Sequence, residues 1–300
     1  MSDWVCDIER LGVAVKRGVS GAALTGFGSG GRVEYLLLPS SAEGLRNAIL
    51  RLREEKVPFR VIGGGSNLLL PDEGFPGALI RLSRLGGVGV CGNLITADAG
   101  VKLPYLAYLA AENSLSGLEF ACGIPGEVGG AVCMNAGAFG QSIKDVLQEV
   151  ILLNACGEAE VLSAECLRMG HHFACLPPQS IALCAKFRLT FAFQEEIEAR
   201  MQAMTARRRL TQPKQRSAGS VFRPANGVPA AVYIERTGLK GLKIGGAKLS
   251  ETHCNFIVND GGATTEDFFA VAEQVRLRVA AEYNVALEYE VERVCSPKKS

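Results

Sequence analysis

Apolar positions along the chain recur with two spacings, near 3.6 and near 2, and the changes between them mark out the elements. Up to Ser20 the pattern suggests a short helix and a connector. Residues 32–38 (RVEYLLL) read as a strand. Ser40 and Ser41 then offer N-caps for a helix whose Leu45, Ala48, Ile49 and Leu52 fall at helical spacing. A strand over Phe59–Ile62 runs straight into Gly63-Gly64-Gly65-Ser66-Asn67, and Leu68-Leu69-Leu70 continues beyond. Short strands are predicted over residues 78–82 and 94–97, then an amphipathic helix over 102–113 with Leu103, Leu106 and Leu109 on its apolar side.

Further on, residues 146–153 and 182–191 read as strands, and 195–210 as a charged helix ending Arg207-Arg208-Arg209. Such a run is read as a solvated face rather than a phosphate site. The pattern changes here, so a domain boundary is placed between residues 1–194 and 195–300. A turn over 215–220, a short helix around 230–237, a strand over 255–258, a long helix from 265 to 283 and a strand over 286–294 complete the prediction. The 300-residue length agrees with two domains.

Two glycine-rich turns interrupt these elements. Residues 117–140, GLEFACGIPGEVGGAVCMNAGAFG, hold seven glycines and one proline, with few side chains able to do chemistry. Glycine permits positive φ and close approach of backbone to a ligand, and successive amides can form an anion site without lysine. A buried packing loop is the other reading. The upstream turn at residues 63–67 is a second of the same kind, and two together suggest a ligand with two phosphates. Gly26-Phe27-Gly28-Ser29-Gly30-Gly31 matches G-x-G-x-x-G but precedes a strand instead of following one, so it is not read as a Rossmann turn.

Composition narrows the class. Apolar residues make up 48%, and the 35 glycines favour tight turns over long helices. A net charge of +1 argues against a polyanion-binding surface, so no nucleic-acid partner is expected. No apolar run is long enough for a membrane span, and MSDWVCDIERLG lacks the apolar region of a signal peptide. The ten cysteines are scattered without a C-x-x-C pair, which points to small buried hydrophobes in a reducing compartment and a cytoplasmic protein. No metal site is indicated, and a monomer is the expectation.

Taken in order, GGGSN, the 117–140 stretch, QPKQRSAGSVF, GLKGLKIGGAKLSETHCNFIVN and LEYEV resemble the UDP-N-acetylenolpyruvoylglucosamine reductases (MurB), from about residue 32 to 294. The third segment resembles the shorter form of that family, without an inserted tyrosine-bearing loop. The resemblance implies an α+β fold. A vanillyl-alcohol-oxidase (PCMH)-type FAD-binding domain of two lobes would be followed by a smaller α+β substrate-binding domain. It implies non-covalent FAD, NADPH as co-substrate, and reduction of UDP-N-acetylglucosamine enolpyruvate to UDP-N-acetylmuramate for peptidoglycan. The FAD pyrophosphate would lie on Gly63, Gly64, Gly65, Ser66, Asn67, Gly123, Ile124, Gly126, Gly129, Gly130 and Ala131.

By the same resemblance hydride would pass from flavin N5, Ser220 would donate the proton, and Glu290 would help to stabilise the enolate. The residues alone leave Ser220 open as a turn serine, and in an alternating strand Glu288 and Glu290 share a face. Three positions depart from the family. His172 stands where it carries arginine, with His171 at the neighbouring tyrosine. Histidine supplies at most one titrating charge, so activity resting on His172 would fall as pH rises through its pKa; Arg168 is the other candidate. Gly26 and Gly28 replace a threonine and a basic residue, which weakens the expected polar contacts of that turn. Asn226 is displaced in Phe222-Arg223-Pro224-Ala225-Asn226. Another FAD oxidoreductase of the same fold, or a catalytically impaired FAD or UDP-sugar binding protein, are the alternatives.

Overall fold

The computed structural model describes residues 4–170 and 173–297. The fold is α+β, and its two compact units are not successive stretches of chain. One comprises the described residues of Met1–Lys16, Tyr35–Gly64 and Ala78–Arg208; the other comprises those of Arg17–Glu34, Gly65–Gly77 and Arg209–Ser300.

The first unit has two cores. Helices Trp4–Arg10 and Ala42–Glu54 surround the first, which joins Ile8, Leu37, Leu45, Leu52 and Ile80. Ser41 starts the second helix as its pattern predicts, its Oγ accepting from Gly44 N at 3.0 Å. Strand Phe59–Ile62 pairs parallel with Phe75–Arg81 in a four-stranded sheet ordered Val13–Ser20, Arg32–Pro39, Phe75–Arg81, Phe59–Ile62. Strand Val13–Ser20 corrects the expected connector. Val13, Val15 and Val19 fall on one face of an alternating run that Arg17 interrupts, a strand signal weakened by that break.

The second core lies on a five-stranded antiparallel sheet. Its order is Ala159–Ser163, Leu147–Leu153, Ile181–Arg188, Leu94–Asp98, Val88–Cys91. Helix Leu103–Glu112 buries Leu103, Leu106, Ala107 and Ala110 in this core, a stripe at three- and four-residue spacing. Leu109, expected on that stripe, is only half-buried.

In the second unit, four strands run in the order Ser217–Ser220, Phe256–Asn259, Ala247–Leu249, Lys243–Ile244. Helix Thr265–Tyr283 packs Phe268, Val271, Ala272, Val275 and Val279 into the core. A capping box of Thr264 and Asp267 starts it, and Asn284 ends it in the left-handed region at φ 51°. Asp72 adds a second cap, accepting from Thr265 N at 2.8 Å and Glu266 N at 2.9 Å. Phe27 and Leu69, far earlier in the chain, are fully buried in this same core.

Three further expectations change here. Residues 217–220 form a strand and not a turn; small residues such as Ala218 and Gly219 carry no periodic signal. The closing strand shrinks to Glu292–Arg293, parallel to Leu68–Leu69, preceded by a single bridge between Phe222 and Tyr289. Of the ten cysteines, all free thiols, only Cys122 and Cys254 are buried; Cys184 is half-buried and seven are exposed. No helix among the described residues is long and apolar enough to cross a membrane.

Candidate active site

In the first unit the two glycine-rich turns meet backbone to backbone. A Cβ on Gly64 would lie 3.2 Å from Gly126 Cα and 3.8 Å from Glu127 N. One on Gly63 would lie 3.8 Å from Gly130 Cα, whereas one on Gly130 would meet nothing within 4 Å. The result is a cradle walled by main chain, with open space over Gly130 that a side chain would fill. Such a surface suits the close approach of a phosphate-bearing ligand.

Not every residue of the stretch is turned to that use. Gly129 packs on Ala99, where a Cβ would come 2.8 Å from Ala99 Cβ, and its N–H donates to Ala99 O at 2.9 Å. Val128 N likewise donates to Val101 O at 2.9 Å, so the first amides of helix Val128–Cys133 are committed to protein. Ala131 is buried and Ile124 packs against the core. Gly123 lies under Arg208, whose Cδ would be 2.8 Å from a Cβ there. Arg208 is therefore not part of a solvated face. Burial lowers its pKa, while its neighbour Arg207 sits 5.7 Å over the Phe139 ring.

Gly65, Ser66 and Asn67 belong to the second unit. Gly65 has φ +72°, and a Cβ would strike Leu24 O at 1.9 Å, so glycine is required there. Its carbonyl accepts from Gly26 N at 2.7 Å, and Ser66 follows against Gly26. Asn67 Nδ2 donates to Glu290 O at 3.2 Å, and Asn67 O accepts from Glu292 N at 2.9 Å. A predicted cofactor residue and the predicted catalytic glutamate are thus brought together.

The Gly26–Gly28 departure does not leave its turn short of polar contacts. Thr25 Oγ1 donates to Ser29 O at 2.9 Å and accepts from Gly28 N at 3.2 Å. Arg216 donates through Nη2 to Ala22 O at 3.0 Å and Thr25 O at 2.8 Å, and through Nε to Gly26 O at 3.3 Å. A Cβ on Gly28 would come 2.5 Å from Arg216 Cζ, so the guanidinium fills the room that a longer side chain there would take.

Ser220 and Glu290 are gathered by main-chain bonds. Ser220 is opposite Phe256 at the end of its strand. Val221 N donates to Asn255 O at 2.9 Å, Glu290 N donates to Val221 O at 2.8 Å, and Arg223 N donates to Glu288 O at 2.9 Å. Phe222 stacks on Tyr289, ring centroids 5.3 Å apart. The shared face expected for Glu288 and Glu290 does not exist, because this segment is held by a lone bridge and not by a regular strand. Glu288 is exposed, and Glu290 is 9% exposed. Burial pushes the Glu290 carboxyl up to about 7, against the opposing pull of Arg223. Arg223 Nε is itself buried, without a hydrogen-bond partner among the described residues.

Asn255 is the residue that sequence reasoning missed. Its Oδ1 accepts from Phe222 N at 3.0 Å while its Nδ2 donates to Phe222 O at 2.9 Å, a two-point clamp on the chain just past Ser220. Asn255 N donates to His253 Nδ1 at 3.3 Å, and burial lowers the His253 pKa. The only hint in the sequence is its place beside the apolar run Phe256-Ile257-Val258. His171 and His172 lie outside the described residues; Arg168 has an exposed side chain.

Residues 33–163 match the model of an FAD-binding domain, and residues 212–294 match that of the UDP-N-acetylenolpyruvoylglucosamine reductase C-terminal domain. Such a pairing defines a two-part flavoprotein oxidoreductase. The chain is 40% identical over 272 residues to the UDP-N-acetylenolpyruvoylglucosamine reductase of Caldanaerobacter subterraneus subsp. tengcongensis, covering 90% of each. It is 36% identical over 287 residues to that of Lactobacillus helveticus, covering 95% of this chain and 96% of the relative. The crystal structure of UDP-N-acetylenolpyruvylglucosamine reductase (MurB) from Thermus caldophilus matches with a TM-score of 0.82 at 37% identity, over 95% of this chain and 100% of that one. The chain belongs to the UDP-N-acetylenolpyruvoylglucosamine reductase family.

Proposed function

We propose that this protein reduces UDP-N-acetylglucosamine enolpyruvate to UDP-N-acetylmuramate with NADPH, on bound FAD, as a cytoplasmic step toward peptidoglycan. The observation that carries the reading is the Ser220–Glu290 arrangement of the second unit in a chain of this family, whose first unit holds a glycine cradle of the kind FAD requires. Gly63, Gly64, Gly126 and Gly130 fit the cofactor because no side chain blocks the cradle. Gly65, Ser66 and Asn67 extend the same turn. FAD, when bound, supplies the hydride carrier between nicotinamide and enol ether.

The chain's own residues then handle the proton and the developing charge. One carbon of the double bond takes hydride, and the other takes the Ser220 hydroxyl proton, which solvent replaces. Serine is a weak acid, so its use depends on being held within hydrogen-bond reach. The clamp of Asn255 on Phe222 and the Val221–Glu290 bond supply that rigidity. Glu290, with a carboxyl that retains its proton near neutrality, donates a hydrogen bond to the enolate that forms beside the substrate carboxylate. His172 is the candidate for the family's arginine role on the resemblance alone.

The test is NADPH oxidation by the yellow purified protein, with and without the enolpyruvyl sugar. Oxidation is expected only with the sugar. A protein that takes up no FAD, or that binds FAD yet never turns over the sugar, sinks the proposal.

A further inference from the structure

Glu127 is the N-cap residue of helix Val128–Cys133, a position where a carboxylate ordinarily accepts from the helix amides. Here its side chain makes no capping bond. The amides of Val128 and Gly129 go to Val101 and Ala99, and Glu127 Oε1 turns to Arg81, 3.2 Å from Nη2. The carboxylate is 5% exposed, yet its Oε2 has no hydrogen-bond partner among the described residues. Arg81 Nε is buried and without a partner in the same way. One ion pair therefore carries an open acceptor and an open donor, both out of solvent.

Native proteins leave few such atoms, because each forgoes its bonds to water with nothing in return. Two on one pair point to a ligand that brings both a donor and an acceptor. Phosphate brings acceptors alone and is repelled by a carboxylate; a hydroxyl brings both. The pair also lies at the cradle, since a Cβ on Gly64 would touch Gly126 Cα at 3.2 Å and Glu127 N at 3.8 Å. Burial raises the Glu127 pKa, while Arg81 and then Lys102, bridged to Glu127 through the main chain, pull the other way.

We propose that Arg81 and Glu127 form a hydroxyl-binding site of the cofactor cradle, Glu127 Oε2 accepting from and Arg81 Nε donating to a sugar or polyol hydroxyl of FAD. This rests on the FAD reading above and assigns two residues that no glycine motif includes. The hydroxyl belongs either to the adenosine ribose or to the ribityl chain.

The test is equilibrium binding of FAD, riboflavin and ADP to the full-length chain stripped of flavin, followed by fluorescence. Glu127→Gln keeps the acceptor facing Arg81 and removes the one facing the ligand, so FAD affinity is expected to fall roughly tenfold. Arg81→Lys keeps the charge, removes Nε, and should weaken FAD binding similarly. It also serves where Glu127→Gln fails to fold, as judged by melting of the flavin-free protein. A matching loss for riboflavin marks the ribityl chain, and a loss for ADP marks the ribose. Wild-type protein that binds no FAD overturns the functional reading instead. Wild type and folded variants of equal FAD affinity overturn this inference.

Discussion

The two glycine turns and the Ser220–Glu290 region are built from opposite materials. In the first unit the cradle of Gly63, Gly64, Gly126 and Gly130 is main chain, defined by where side chains are missing. In the second, Ser220, Asn255 and Glu290 depend on side chains held by a few cross-chain bonds, and one of them is a buried carboxyl. Space alone makes the first kind of site, so a single added methyl can remove it. The second kind is tuned by burial and by charge, so its failures should be graded and pH-dependent.

The largest expected effect separates the two directly. Ser220→Ala should slow sugar reduction by about 10²–10⁴-fold, the usual worth of a general acid, while flavin reduction by NADPH stays intact. Stopped-flow absorbance reads the two half-reactions apart, and equal loss of both would break the contrast. Gly64→Val is the reverse probe. It should abolish FAD retention, because its Cβ alone meets Gly126 at 3.2 Å, and a yellow variant with native affinity would refute the cradle.

A smaller effect is expected from Asn255→Asp, which keeps the acceptor for Phe222 N and loses the donor to Phe222 O. Sugar reduction should drop roughly tenfold with flavin content unchanged. Faster amide exchange at Phe222 would show the loosened clamp, and unchanged exchange with unchanged rate would dismiss it.

The mildest test is pH. Burial raises the Glu290 pKa in the folded protein to about 7, above a model-peptide value of ~4.3. The folded state therefore binds this proton more tightly than the unfolded state. The contribution of Glu290 to stability is full below about 4.3 and is lost as pH rises through about 7. Sugar reduction should decline over that upper range, and Glu290→Gln should flatten both profiles. A decline that survives in Glu290→Gln assigns the titration to another group.

The same contrast explains what could be read from the chain. The glycine turns were legible as runs of glycine, and at Gly65 the need is local, a φ of +72°; at Gly64 it comes from Gly126, far along the chain. The helix at residues 42–54 was legible from its periodicity and its serine cap, and that at 265–283 as a long helical stretch whose capping box the structure adds. Spacing could not choose Glu290 over Glu288 and only the resemblance did; the burial of Glu290 and its bond to Val221 are details that no spacing reveals. Arg208 looked like one of three solvated arginines until its contact with Gly123 was seen. Asn255 has a role only because Phe222 lies beside it, 33 positions away in sequence. Short strands without side-chain period, such as Ser217–Ser220, escaped for a related reason: their partners specify them.

The second unit borrows Phe27 and Leu69 for its core, and its long helix is fastened by bonds such as Ser29 to Thr265, 236 residues apart. Contacts of such separation carry a loop-closure cost, so this half is expected to form after the first. During synthesis the Phe27 and Leu69 segments leave the ribosome long before their partners exist, and wait with apolar surface uncovered. A fragment beginning at residue 209 would lack both segments. It is expected to stay unfolded when expressed alone, and to recover structure only when the earlier part of the chain is supplied.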